Sequence, residues 1–139
     1  RKFIVMAKTP FPSEDMALTT ILVVSDMAKS KDFYQNVLGA EIYREYGGDS
    51  CVLQFLGNWI LIVTSGEPTK DKPETQFVPP KNPNDVSHSF TIRVKDCVGC
   101  YETLKERGAN FLTPPVDWGA EIRAFFTDPD GHLFEISQA

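Results

Sequence analysis

The sequence predicts an α+β fold made of two βαβββ modules in tandem, and three observations predict it. The chain repeats itself at an offset of about seventy residues: Leu22-Val23-Val24-Ser25-Asp26 reads like Ile92-Arg93-Val94-Lys95-Asp96, and Gly39-Ala40-Glu41-Ile42 reads like Gly108-Ala109-Asn110-Phe111. Further on, Leu61-Ile62-Val63 reads like Phe134-Glu135-Ile136. Each copy has the same grammar: a β-branched run, an aspartate, an amphipathic stripe, a glycine and then further apolar runs. Between the copies, residues 66–85 hold five prolines, which suits a connection and not a packed element. The expected organisation is an N-terminal extension over 1–17 and one domain over 18–139, with a module at 18–65, a linker at 66–87 and a module at 88–138.

In the first module the run from Thr19 to Val24 reads as a strand. Asp26 after it is a good helix N-cap, because its carboxylate accepts the free N–H groups of the first turn. Met27, Ser30, Tyr34, Val37 and Leu38 fall on one helical stripe, and Gly39 supplies the stop. Strands follow at 41–45, 51–56 and 59–64, with Gly47-Gly48 and Gly57-Asn58 as turns; the second pair predicts a tight hairpin. In the second module a strand at 89–94 leads to Asp96, which caps a helix carrying Cys97, Cys100, Tyr101 and Leu104 at i, i+3, i+4, i+7. Gly108 ends that helix. Strands near 110–113, 121–127 and 132–137 follow, the last two joined by Asp128-Pro129-Asp130-Gly131, a strong turn tetrad.

Composition bounds the function. A chain of 139 residues, 42% apolar and 24% charged, has a folded domain's composition and is long enough to hold together without a metal or disulfide. Its net charge is −5 with the acidic residues dispersed, whereas tracking phosphates needs a basic excess, so no nucleic-acid partner is expected. No apolar run approaches the ~20 residues of a bilayer span, so no membrane is expected either. Phe3-Ile4-Val5-Met6-Ala7 is shorter than the roughly 7–15 residues of a signal-peptide core. Cys51, Cys97 and Cys100, with His88 and His132, show no zinc spacing; Cys97 and Cys100 open the amphipathic helix and read as packing. Reduced thiols suit a cytoplasmic protein. There is no glycine-rich phosphate loop, H-E-x-x-H or G-x-S-x-G.

Specific words carry a resemblance. Val24-Ser25-Asp26, the run Ser30 to Gly39 (S-K-D-F-Y-Q-N-V-L-G), and Asp128-Pro129-Asp130-Gly131-His132 leading to Phe134-Glu135 resemble the vicinal oxygen chelate superfamily: glyoxalase I, extradiol dioxygenases and bleomycin-resistance proteins. The resemblance covers roughly Leu18 to Gln138. It implies that each module curls into a half-barrel and that paired modules enclose a cavity, often around a divalent metal and often completed in a homodimer. It also implies where ligands would stand: one, commonly His or Gln, seven residues before the aspartate of each helix, and one, commonly Glu, on each fourth strand. Those positions hold Thr19, Ser89, Ile62 and Glu135. Neutral hydroxyls are poor partners for a transition metal and Ile62 cannot ligate, so a degenerate metal site and no cofactor are expected. His88 stands one residue before a ligand position, and strand alternation points it to the opposite face unless a bulge turns it back.

The same alternation sketches the cavity. With Ser89 inward, Thr91 and Arg93 follow, and Thr19, Ile21 and Val23 do so in the first module. Ile60, Ile62 and Thr64 are the expected inward set of one fourth strand, and Leu133, Glu135 and Ser137 that of the other. One wall is then apolar and the other polar, with Arg93 and Glu135 either paired or orienting a ligand. Trp118 is expected at the mouth, while the direction of Arg123 stays open. The expected ligand-binding set is Thr19, Ile62, Ser89, Thr91, Arg93, Trp118 and Glu135. The expected activity is capture of a small organic ligand or antibiotic, as in the bleomycin-resistance type. The alternatives are a divalent-metal-dependent lyase, isomerase or dioxygenase acting on vicinal oxygens through Glu135 and a rotated His88, and an interaction module with a vestigial cavity.

Overall fold

Both halves fold as their shared grammar requires. The computed structural model describes residues 8–64 and 66–139, so the apolar stretch at 3–7 lies outside the described residues. The first module runs β1 (Thr19–Val24), α1 (Met27–Asp32), a π-helical turn (Phe33–Val37), β2 (Glu41–Tyr46), β3 (Ser50–Phe55) and β4 (Asn58–Thr64). The second runs β5 (Phe90–Arg93), α2 (Cys97–Glu106), β6 (Asn110–Phe111), β7 (Val116–Asp117), β8 (Ile122–Thr127) and β9 (Leu133–Gln138). Two open mixed sheets result, ordered β1-β4-β3-β2 and β5-β9-β8-β6, with β7 also on β8. In each, the first strand pairs in parallel with the last, which obliges the intervening helix to cross one face. No helix among the described residues is long and apolar enough to cross a membrane.

The caps fall where the aspartates stand. Asp26 accepts from the backbone N–H of Lys29 at 3.1 Å, and Asp96 from that of Gly99 at 2.9 Å. The first helix then widens into the π-turn, its Leu38 N–H donating to Phe33 O at 3.1 Å. That extra residue per turn lets the adjacent Phe33 and Tyr34 both be buried. Phe33 reaches Phe126 and Tyr34 reaches Phe134, with ring centroids 6.4 and 6.1 Å apart, so the first module's helix packs on the second module's sheet. The Tyr34 hydroxyl donates to Asp128 at 2.7 Å, and Arg107 Nη1 donates to Val37 O at 3.1 Å, tying the modules at both levels.

The core joins Leu22, Val24, Leu53, Ile60 and Ile62 of the first sheet to Phe126, Phe134 and Ile136 of the second. Burying each such side chain contributes roughly 1.5–3 kcal/mol. Here one expectation is corrected. The parallel register sets Leu22 opposite Ile62, and paired residues share a face, so Ile62 points into the helix-covered core and not into an inward cavity. The strand Trp59-Ile60-Leu61-Ile62-Val63 is apolar at every position, so its sequence carries no alternation from which to read a face.

Two boundaries also shift. The β3–β4 hairpin turns at Leu56-Gly57, not Gly57-Asn58, because the buried pairs Cys51–Ile62 and Leu53–Ile60 set the register and leave those two residues over. Both have positive φ, 49° and 75°, as a type I′ turn demands. The strand expected to Thr113 stops at Phe111, ahead of Pro114-Pro115, and the chain returns as β7, which the sequence reading did not anticipate. Within the linker Gly66 and Phe77 bridge each other, with Lys72 Nζ 4.9 Å from the Phe77 ring centroid.

Candidate functional site

On the side of the second sheet away from the helices, register gathers a charged cluster. Thr91 pairs with Glu135 and Arg93 with Ser137 across β5–β9, while β8 sets Phe125 opposite Glu135 and Arg123 opposite Ser137. Thr91 Oγ1 donates to Glu135 Oε1 at 2.7 Å, and Arg123 Nε lies 3.9 Å from Glu135 Oε2. Arg93 Nη1 donates to Ser137 Oγ at 2.7 Å and to Glu121 Oε2 at 3.4 Å. Arg123 Nη1 donates to Glu121 Oε1 at 3.2 Å, and the Ser137 hydroxyl also donates to Glu121. That hydroxyl, helped by the two guanidiniums, holds the Glu121 carboxyl below the usual carboxylate range.

The two guanidiniums and two carboxylates balance, so the cluster adds no net charge to its face. Arg123 lies over both Trp118 and Phe125, 5.5 and 5.6 Å from their ring centroids, an aromatic clamp that suits the planar cation. Glu135 is buried, whereas the Arg93 side chain is 65% exposed. Of the two readings left open for Arg93 and Glu135, direct pairing is therefore excluded. Arg93 is one ladder step further along than Glu135 and meets Glu121 and Ser137, while Glu135 meets Thr91 and Arg123. Glu121 and Arg123 are the members that sequence reasoning did not place. The Phe125-Phe126 pair hid the parity of β8; its ladder to β9 resolves it.

The equivalent face of the first sheet is aromatic. Thr19, Ile21 and Val23 stand opposite Trp59, Leu61 and Val63, and Val52 stands opposite Leu61 from the other side. A bulge at Tyr43, between the pairs of Ile42 and Arg44, keeps Tyr43 and Arg44 on the same side, with Tyr43 edge-on to Trp59 at 5.0 Å. Thr19, Ile21, Tyr43, Tyr46, Trp59 and Leu61 line a shallow cleft of about 450 Å³.

The positions where the fold family would hold a metal can now be tested on their chemistry. Leu61, not Ile62, matches Glu135, since Ile21–Leu61 and Thr91–Glu135 are the same rung of the two ladders. The set is Thr19, Leu61, Ser89 and Glu135, and both Glu135 oxygens face partners of their own. His88 is edge-on to Phe90, ring centroids 5.7 Å apart, so it keeps to the Phe90 side and no bulge turns it toward the side of Ser89. These residues do not fit a resident transition metal. The cysteines are free, and burial pushes the Cys97 thiol up, away from nucleophilic use; its Sγ faces Ile136 O at 3.7 Å, as packing predicts.

The profile of the Glyoxalase/Bleomycin resistance protein/Dioxygenase superfamily matches residues 17–136. The chain belongs to that superfamily. Among curated superfamily proteins, it is 29% identical to a lactoylglutathione lyase of Neisseria meningitidis serogroup A, over 87% of this chain and 88% of the relative. It is 32% identical to the metallothiol transferase FosB of Staphylococcus epidermidis, over 81% and 76%. The crystal structure of a lactoylglutathione lyase from Agrobacterium tumefaciens has the same fold, with a TM-score of 0.66 over 92% of this chain and 96% of that one, at 15% identity.

Proposed function

We propose that the protein binds a small organic molecule between an aromatic wall and a charged wall, without a resident metal, and that a second copy of the chain completes the site. The observation carrying this reading is Glu135. A metal-binding carboxylate needs free oxygens and neighbouring ligands, and Glu135 instead accepts from Thr91 and faces Arg123 while Thr19, Leu61 and Ser89 stand at the partner positions. Such a wall orients a ligand through Arg93, Arg123 and Thr91, and Trp118 closes over its edge. The dimer is supported by Tyr43 and Tyr46, 60% and 52% exposed on the aromatic face beside Trp59 and Ile21. The cargo class is a planar or partly apolar compound with polar substituents, a small antibiotic included.

Two measurements test this. After chelation and reloading with nickel, zinc or manganese, the chain should retain well below one metal per copy. Titration with a panel of aromatic antibiotics should quench Trp59 and Trp118, the chain's two tryptophans, in a saturable way. The names of the curated relatives favour a second reading, a metal-dependent lyase or thiol transferase. Stoichiometric metal that Glu135→Gln removes would establish that reading in place of the first.

A further inference from the structure

The chain's two histidines, His88 and His132, line one cavity that also takes in Ile21 and Val23 at the edge of the aromatic face. It has a volume of about 410 Å³ and lies between the edge strand β1, the inter-module arm and the residues leading into β9. Val78, Pro80 and Leu133 give it apolar walls, and Lys81, Asn82, Asp85 and Ser87 join the histidines as polar groups. The arm is held over it by a close approach. A Cβ at Gly131 would lie 2.7 Å from Pro83 Cβ, and φ there is +94°, so a glycine is needed for the arm to close on the β8–β9 turn.

His132 is buried, with Nδ1 2.7 Å from Asp128 Oδ2. The same oxygen accepts the Tyr34 hydroxyl at 2.7 Å, and Oδ1 accepts the backbone N–H groups of Asp130 and His132 at 3.0 and 2.8 Å. Three donors fit an ionised carboxylate, which has no proton to give. The proton of the fourth contact therefore sits on Nδ1, and it is the neutral form of the ring that offers a lone pair at Nε2. Nε2 has no hydrogen-bond partner among the described residues, yet the one sealed side-chain polar atom without a partner there is Ser30 Oγ. Nδ1 is turned to Asp128 and His132 lines the cavity, so Nε2 is the ring nitrogen left for a ligand there.

We infer that this cavity is a second binding site, for a small hydroxylic compound of the phenol class whose O–H donates to His132 Nε2. A carboxylate behind an imidazole stabilises the positive charge that builds as Nε2 takes on a proton, so the pair favours a weakly acidic O–H over an acceptor or a preformed anion. The ring lies against Val78, Pro80 and Leu133. Thr91, Arg93, Arg123 and Glu135 take no part in this site.

The test is nuclear magnetic resonance of the full chain with ¹⁵N-labelled histidine, titrated with phenol and, separately, with toluene, which has the same shape without the hydroxyl. The expected result is an Nδ1–H tautomer of His132 near neutral pH, and a saturable phenol shift of its Nε2 with toluene at least about tenfold weaker. His132→Asn keeps a donor for Asp128 but removes Nε2, and should abolish the preference for phenol. Should that variant fail to fold, Val78→Trp on the exposed arm fills the cavity without touching the Asp128–His132 pair, and should block phenol. Equal binding of phenol and toluene, an Nε2–H tautomer, or a phenol titration that leaves the His132 Nε2 resonance unmoved would each overturn the inference.

Discussion

Leu61 in the first module and Glu135 in the second occupy the same place in their sheets. Each sits across a parallel ladder from the residue five before a helix-capping aspartate, Ile21 in one case and Thr91 in the other. On the covered side the two modules agree: Leu22 with Ile62 and Ile92 with Ile136 are matching apolar pairs under helices. On the open side they part. One carries Ile21, Trp59, Leu61 and Tyr43, the other Thr91, Arg93, Arg123, Glu121 and Glu135. The difference teaches that a repeated fold constrains only the face it buries. Packing against a helix penalises every change of volume or polarity, while the opposite face is free to take on chemistry.

The largest effect that would break this comparison comes from adjacent residues on one strand. Ile62→Ala should cost about 2–5 kcal/mol in urea unfolding, and Leu61→Ala less than about 1.5 kcal/mol. Reversed magnitudes would mean that β4 presents its other face to the core.

Next is the joint between modules. Tyr34→Phe leaves Asp128 one donor short in a buried place and should cost about 1–3 kcal/mol. Burial, followed by the charge of Asp128, pushes the Tyr34 phenol well above its ordinary range. A raised phenol contributes stability below the unfolded value of about 10, and loses it as pH climbs from there toward the folded value. Alkaline melts should therefore converge for wild type and Tyr34→Phe; a gap that stays constant above that pH would contradict the hydrogen bond.

Smaller again is the coupling within the charged cluster. A double-mutant cycle of Arg123→Met with Glu135→Leu should return about 0.5–1 kcal/mol, modest because Arg123 is partly solvated. The cycle of Arg93→Met with Glu135→Leu should be additive within about 0.5 kcal/mol. Coupling found only in the second cycle would restore the Arg93–Glu135 pairing. The smallest effect belongs to Glu121, whose carboxyl is held low by Ser137 and the guanidiniums. Its stabilisation is present above the unfolded carboxylate range and is lost as pH falls through the folded value. Glu121→Gln should thus trail wild type at neutral pH and meet it in acid.

Much of the architecture was legible before any coordinates. Asp26 and Asp96 announce two helix starts because a carboxylate satisfies backbone donors that nothing else nearby can reach, and both cap as expected. β1 spans Thr19 to Val24, as its β-branched run predicts. Thr91 and Arg93 share a face with Glu135 and Ser137, as alternation requires. Those are local rules, acting over a few residues, and the sequence states them directly.

Tertiary structure decided the rest, because it depends on which strand lies beside which and in what register. The partner of Arg93 changed from Glu135 to Glu121 through one ladder step along β9 and a residue on the approach to β8. The face of Ile62 followed from pairing with Leu22, since a strand apolar at every position gives alternation nothing to act on. The tie of Tyr34 to Asp128 and His132 spans 94 and 98 positions of sequence and required a π-turn to aim the ring. Strand order and helix pitch act at a distance, and a one-residue change in either turns a side chain from core to solvent.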